Sequence, residues 1–321
     1  MITTLWKVTG TKSFRLSATK VLDKFGMNLQ TYNESLGVHL KSRPGKCFVQ
    51  TDQAGAEARV VAWDAATPKY HRFKDLFEVG IKPHTYVALQ LFLDRFKDKV
   101  DVPVSELEAP DPRWLSTQEW WPPLNTRVIK DKEAYALGKR VVHACNYGMK
   151  ERTFRLNVLK GSHGQINLSA DEAARFLAVH KNLFPEVYIW QQEVLAEAKE
   201  TREIRNLLGY PRRITSKWNS TLERDLLSFR PQSTVGCLTH LAAQEIARNT
   251  AFYVALNKHD SIVLEVPEED KDVAVKHLEE AFQTPVLITR TGVTFQMAVE
   301  SHYGYNLAYQ TEDNPNGLRA F

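Results

Sequence analysis

Cysteine is scarce in this chain. The three present, Cys47, Cys145 and Cys237, are odd in number and widely spaced. That pattern excludes a disulfide frame, and none of the ten histidines stands at zinc-ligand spacing to a cysteine. Reduced thiols fit a cytosolic setting, so the expected location is the cytoplasm. Long apolar runs are missing as well. No stretch is long enough to span a bilayer and no signal-peptide pattern opens the chain, so no membrane partner is expected. A dominant charge is also absent: Lys+Arg 42 against Asp+Glu 38 leaves a net charge of +4. This mildly basic balance permits nucleic acid as a partner without demanding it. With 321 residues, 43% hydrophobic and 25% charged, the chain has the composition of one large or two modest globular domains.

What is there begins with Cys47–Ala65, CFVQTDQAGAEARVVAWDA. Cys47, Phe48 and Val49 are strand formers, and alternation puts Phe48, Gln50 and Asp52 on one face. Gly55 lets the chain turn, and an Ala-rich helix follows to Ala65. Asp52 thus ends a strand on a rigid element, a good position from which to offer a carboxylate to a metal. Taken alone, the commoner use of such an Asp is to cap the helix that follows.

The rest of the chain frames that stretch. Residues 1–30 read as a loop or irregular strand pair presenting Arg15, Asn28 and Gln30, and Arg43-Pro44-Gly45-Lys46 as a turn. Pro83-His84-Thr85 starts a helix. Residues 100–127, rich in Pro and Trp, read as a long surface excursion whose tryptophans either form a small local core, the favoured reading, or dock a partner as aromatic anchors. Asp131–Val158 reads as a long helix or a helix with one break. Lys139, His143, Tyr147 and Lys150 share one face, and Leu137, Val141 and Ala144 pack down on another. Such a cationic–aromatic stripe suits a triphosphate beneath a stacked base, although most charge stripes are simply solvated faces. Val187, Trp190 and Val194 read as core after a break at Phe184-Pro185, and Arg230-Pro231 reads as a kink or a junction in a helical stretch over 222–255. Residues 252–266 read as a hairpin with His259-Asp260 at its turn, and the tail from Gln310 as polar and partly mobile.

Together these stretches resemble the motifs of family A (Pol I-like) DNA polymerases, in order. Asp52, Glu57 and Arg59 match D-x-x-x-x-E-x-R, with Ala54-Gly55 closest to the phage branch. Lys139 and Tyr147-Gly148 match the second motif, and His259-Asp260 the third. RLSA at 15–18 with NLQ at 28–30, His84-Thr85, FPEVYIW at 184–190, LLGYPRR at 207–213, and Arg224 with Gln232 match further family segments.

The resemblance implies an α+β fold, a right-hand palm built on an antiparallel sheet with a helical fingers insertion. Residues 1–66 and 206–321 would form the palm and 67–205 the fingers. It implies template-directed addition of dNTPs to a primer 3′ end, with two Mg²⁺ ions (Mn²⁺ as a substitute) clamped by Asp52, Asp260 and the Gln53 carbonyl. Lys139 and His84 would hold the triphosphate. His143 and Tyr147 would flank the base, and Glu57 would exclude a ribose 2′-hydroxyl. Arg15, Asn28, Gln30, Arg59, Arg224, Gln232 and His259 would contact primer–template DNA. The chain opens almost at the R-L-S motif, so thumb and exonuclease functions are expected to come from another protein chain or to be absent. A phage-like origin would put the protein in a host cytoplasm.

Departures qualify the match. The family's Arg four residues before the motif Lys is Tyr135 here, with Arg140 or Lys132 as candidate replacements. The aromatic before Tyr147 is His143, and the acid after Asp260 is Ser261. Two alternatives stand beside the polymerase. A single-subunit RNA polymerase-like enzyme is opposed by Glu57. A non-catalytic nucleic-acid-binding subunit is opposed by the two retained carboxylates, which without a cation would repel each other.

Overall fold

The computed structural model describes residues 5–7, 11–19, 28–289 and 291–321. The chain divides into two compact units. One comprises Met1–Glu57, Arg205–Arg212 and Phe229–Phe321, and the other Ala58–Ile204 and Arg213–Ser228.

The first, a sheet unit, is organised on the strand Lys46–Gln53. This strand is third in an antiparallel sheet whose order is Arg319–Ala320, Val299–Gly304, Lys46–Gln53, Ser261–Pro267, Tyr253–Lys258. Its alternation separates two environments. Cys47 and Val49 join Ile262, Leu264, Val266 and the helix Lys271–Ala281 in one apolar cluster. Phe48 joins Leu29, Val263, Leu307 and Leu318 on the opposite face, which also carries Gln50 and Asp52. Register is fixed by this partition, because a one-residue slip would drive Asp52 into the apolar cluster. Each fully buried aliphatic side chain there contributes about 1.5–3 kcal/mol.

The second, a helical unit, owes its element starts to local chemistry. Pro83 and Pro185 occupy first-turn positions of the helices Pro83–Leu91 and Pro185–Thr201. Asp131 accepts from Ala134 N at the start of Lys132–Asn146, and Ser169 with Glu172 forms a capping box on Ala170–Leu183. Phe73, Tyr86, Leu137, Val141, Phe154, Phe176 and Phe184 are buried. Val187, Trp190 and Val194 are core residues as expected. Trp190 Nε1 is satisfied by donating to the buried Asp64 Oδ2 at 2.6 Å.

Three sequence expectations are corrected. The 100–127 segment is helical in short pieces, Val104–Leu107, Pro112–Leu115 and the start of Trp121–Lys130, because Pro112 and Pro122 sit at first-turn positions and Pro103 at an N-cap, where proline is compatible with a helix start. Its tryptophans do not form one local core: Trp121 is buried, whereas Trp114 and Trp120 meet edge to face nearer the surface. The helix Ser220–Asn249 is continuous through Pro231, so no junction falls there; Leu226, Leu227, Phe229 and Val235 are buried along it, and packing outweighs a proline cost of about 3 kcal/mol. The tail is held: Leu318 is buried, and Arg319–Ala320 pairs with His302 and Tyr303 as an edge strand. Of the two readings of 131–158, a helix with one break is the one found: the break lies at Tyr147–Lys150, with Gly148 at a φ of +64° that L side chains rarely adopt. Among the described residues no helix is long and apolar enough to cross a membrane.

Candidate active site

The sheet unit brings two carboxylates together by register. Asp52 lies opposite Ser261, so the turn residue Asp260 stands beside it, and Gln53 N donates to the Asp260 carbonyl at 3.0 Å. The hairpin closes in two residues, His259 and Asp260, with His259 at a φ of +49°. Hairpin turns this tight require such a conformation, and His tolerates it better than most residues. A second clamp comes from the Ser220–Asn249 helix. Its fully buried Thr239 donates to the His259 carbonyl at 3.1 Å and accepts from Gln53 Nε2 at 2.7 Å. Gln50 Nε2 donates to Asp52 Oδ2 at 2.6 Å and orients it. Neither Thr239 nor Gln50 was read from the sequence as part of the site. Gln50 was visible in the alternation with Asp52, whereas nothing local marks Thr239.

Electrostatics report the crowding. Burial, then the nearby Asp52, pushes the Asp260 carboxyl above the usual range. Arg15 and Glu57 form an ion pair in the same cluster, and both act on Asp260 and His259. Burial and Arg15 hold the His259 imidazole below its ordinary value. Lys258 donates to the Tyr32 hydroxyl at 2.8 Å, and burial lowers its ammonium pKa against the opposing pull of Asp52, Glu34 and Asp260.

The donor set was tested for a cation. Among the described residues no three His, Cys, Asp or Glu side chains form a ready-made cluster. Two carboxylates suit Mg²⁺, which takes few protein acids and completes its shell with phosphate and water. Gln50 Oε1, Gln53 Oε1, His259 Nδ1 and Arg15 Nε are buried without hydrogen-bond partners. Such orphaned polar atoms around a carboxylate pair fit a site that takes a charged ligand.

The helical unit carries the second group of predicted residues. The helices Pro83–Leu91 and Lys132–Asn146 cross so closely at Gly138 that a Cβ there would lie 2.3 Å from the His84 carbonyl oxygen. Gly138 was missed in the sequence; its one signal is a glycine inside a helical pattern, directly before Lys139. Lys139 and His143 are exposed on that helix. Tyr147 caps it, is 8% exposed, and meets His143 edge to face at 4.9 Å. His84 Nε2 lies 2.8 Å from the Tyr135 hydroxyl. Burial, then Lys139 and Lys82, lowers His84 to about 4, so its imidazole is neutral at physiological pH. Arg140 is engaged with the Gly161 carbonyl at 2.6 Å, away from the role of replacement arginine.

The remaining predicted residues are spread more widely. Gln30 is buried, accepting from Ala18 N and donating to the Leu16 and Asn257 carbonyls. Asn28 is exposed and accepts from Gln30 N. Arg59 lies over the rings of Trp63 and Phe77. Arg224 and Gln232 lie half-buried on the one long helix.

Comparison with solved structures finds the chain similar to the POL domain of Pol1 from M. smegmatis, determined in complex with DNA primer-template and dNTP. The TM-score is 0.65 at 19% identity, and the match covers 94% of this chain and 47% of that one. The chain therefore has a polymerase-domain fold and spans about half the length of that neighbour. The resemblance to family A read in the sequence is borne out at the level of the fold, as is a mixed α+β architecture with an antiparallel sheet. No protein-family model matches the chain, and no curated protein sequence does.

Proposed function

We propose that the chain is a template-directed DNA polymerase core that adds dNTPs to a primer 3′ end. The single observation carrying this reading is the register that sets Asp52 beside Asp260, inside a polymerase-domain fold. The sheet unit is the palm and the helical unit the fingers. Asp52, Asp260 and the Gln53 carbonyl would hold two Mg²⁺ ions, with Mn²⁺ accepted in their place. A cation pair held by these groups would supply activation of the attacking oxygen and charge neutralisation at the leaving pyrophosphate. The rest falls to this chain's own groups. Gln50 orients Asp52, and Thr239 holds the turn that carries Asp260. Lys139 binds the triphosphate as a point charge, and His84 offers a neutral N–H to the β-phosphate. His143 and Tyr147 flank the incoming base. Arg15 holds Glu57 against the sugar, where a carboxylate excludes a 2′-hydroxyl. His259, Arg15, Asn28, Arg224 and Gln232 contact the primer end and the minor groove, where base-pair shape is read more than sequence. Gln30 and Arg59 serve that contact indirectly, by holding their neighbours.

The test is single-nucleotide primer extension with Mg²⁺ and matched dNTP and NTP lanes. Extension with dNTP, abolished by Asp52→Ala, is expected. Glu57→Ala should admit NTP. Extension that survives Asp52→Ala would refute the proposal, and preferential use of NTP by the unaltered chain would favour the RNA polymerase-like alternative.

A further inference from the structure

The crossing of the Pro83–Leu91 and Lys132–Asn146 helices holds a pair that the sequence presented as a loss. Tyr135 stands where similar polymerases carry an arginine, yet its hydroxyl lies 2.8 Å from His84 Nε2. The two rings meet edge to face, 4.8 Å between centroids and 87° between planes. The spacing is set by backbone contact: a Cβ on Gly138 would lie 2.9 Å from Ala88 Cβ as well as against the His84 carbonyl. Tyr135 and Lys139 are one helical turn apart and share a face. Around the half-buried His84 ring the charged groups acting on it are Lys139 and Lys82, both cationic.

A neutral imidazole has one N–H and one lone pair, and the partner of one nitrogen decides where the proton sits. A phenol is the stronger acid of the two, and so the better donor in a Tyr–His contact. An anion drawn by Lys82, Lys139 and the first turn of a helix needs a donor from the imidazole, not a lone pair. Resting on the polymerase reading above, we propose that Tyr135 is a positioning residue: its hydroxyl donates to His84 Nε2, fixes the imidazole proton on Nδ1 and aims that N–H at a phosphate oxygen of the nucleoside triphosphate. The pair replaces an arginine's charge with a directed, uncharged hydrogen bond.

Tyr135→Phe in the full chain keeps the ring and removes only the hydroxyl. Nitrogen chemical shifts of ¹⁵N-histidine-labelled protein report the tautomer of His84, assigned by its disappearance in His84→Gln. The wild-type chain should show the Nδ1–H form, and Tyr135→Phe should shift toward the Nε2–H form that an unconstrained histidine side chain prefers. Binding of dATP to the complex with a dideoxy-terminated primer–template should weaken about 3- to 10-fold, the scale of one hydrogen bond, with the thermal midpoint unchanged. An Nε2–H form in the wild type, or one tautomer in both proteins, would overturn the proposal, because a purely structural tyrosine leaves the tautomer unmoved. Lys139→Ala separates the two failures. If dATP binding does not depend on Lys139, the polymerase reading fails, while the tautomer still decides the role of Tyr135.

Discussion

The two units hold their candidate residues in opposite ways. In the sheet unit the acids are fixed from several sides: strand register places Asp52, a backbone bond ties Gln53 to Asp260, and Thr239 clamps the turn from a neighbouring helix. Burial first, and the like-charged Asp52 second, push the Asp260 carboxyl above its usual range there. In the helical unit the backbone is what is fixed, through Gly138, while Lys139 and His143 project from one exposed helix face. The difference is physical. A metal clamp needs carboxylates fixed before the ion arrives, at a cost in repulsion. A phosphate-binding face needs charge in water and a rigid base beneath it.

The largest effect expected comes from breaking the repulsion. Asp52→Asn should abolish nucleotide addition, by at least about 10³-fold on the scale of lost transition-state stabilisation, while the thermal midpoint holds or rises as Asp260 loses its like-charged neighbour. Primer extension and thermal melting of the same samples read both. A fall in the midpoint would mean that the acids do not repel each other. Lys139→Ala should weaken dNTP binding about 10- to 150-fold, a charged hydrogen bond's worth, and leave the midpoint unchanged because the side chain is exposed.

Acid should then separate the units. His180 is fully buried in the helical unit, neither ring nitrogen has a partner, and burial lowers it to about 3. Its depressed value favours the neutral ring in the fold. The stability this contributes is complete above the ordinary value of 6.5 and is lost as pH falls from there toward 3. Hydrogen exchange should show the helical unit loosening over that range before the sheet unit does, and His180→Phe should reduce the effect. The smallest change tests the rigid base. Gly138→Ala should destabilise by about 1–3 kcal/mol through backbone overpacking, lowering the melting midpoint by several degrees.

The sequence was most legible where chemistry follows a local period. Alternation placed Asp52 with Gln50, and the hairpin pattern placed Asp260 at a turn. It was least legible where a partner lies far along the chain. Tyr135 read as a missing contact because His84 is 51 residues away on another helix. Thr239 carries no local signal and Gly138 only that of a glycine inside a helical pattern; the role of each comes from a close approach of elements that only the fold brings together. The tail misled because its polar composition hides Leu318, one buried anchor, and a two-residue strand. The Pro-rich segment misled because a proline that starts a short helix reads in sequence like one that breaks structure.

In the proposed reading, the register of one strand against one hairpin makes a cation clamp. The measurement that meets it most directly is Mn²⁺ binding, followed by electron paramagnetic resonance, to the full chain with dideoxy-terminated primer–template and matching dNTP. The account predicts bound Mn²⁺ in the wild type and its loss in both Asp52→Asn and Asp260→Asn, with Gln50→Leu intermediate. Mn²⁺ bound equally by all four proteins would contradict it.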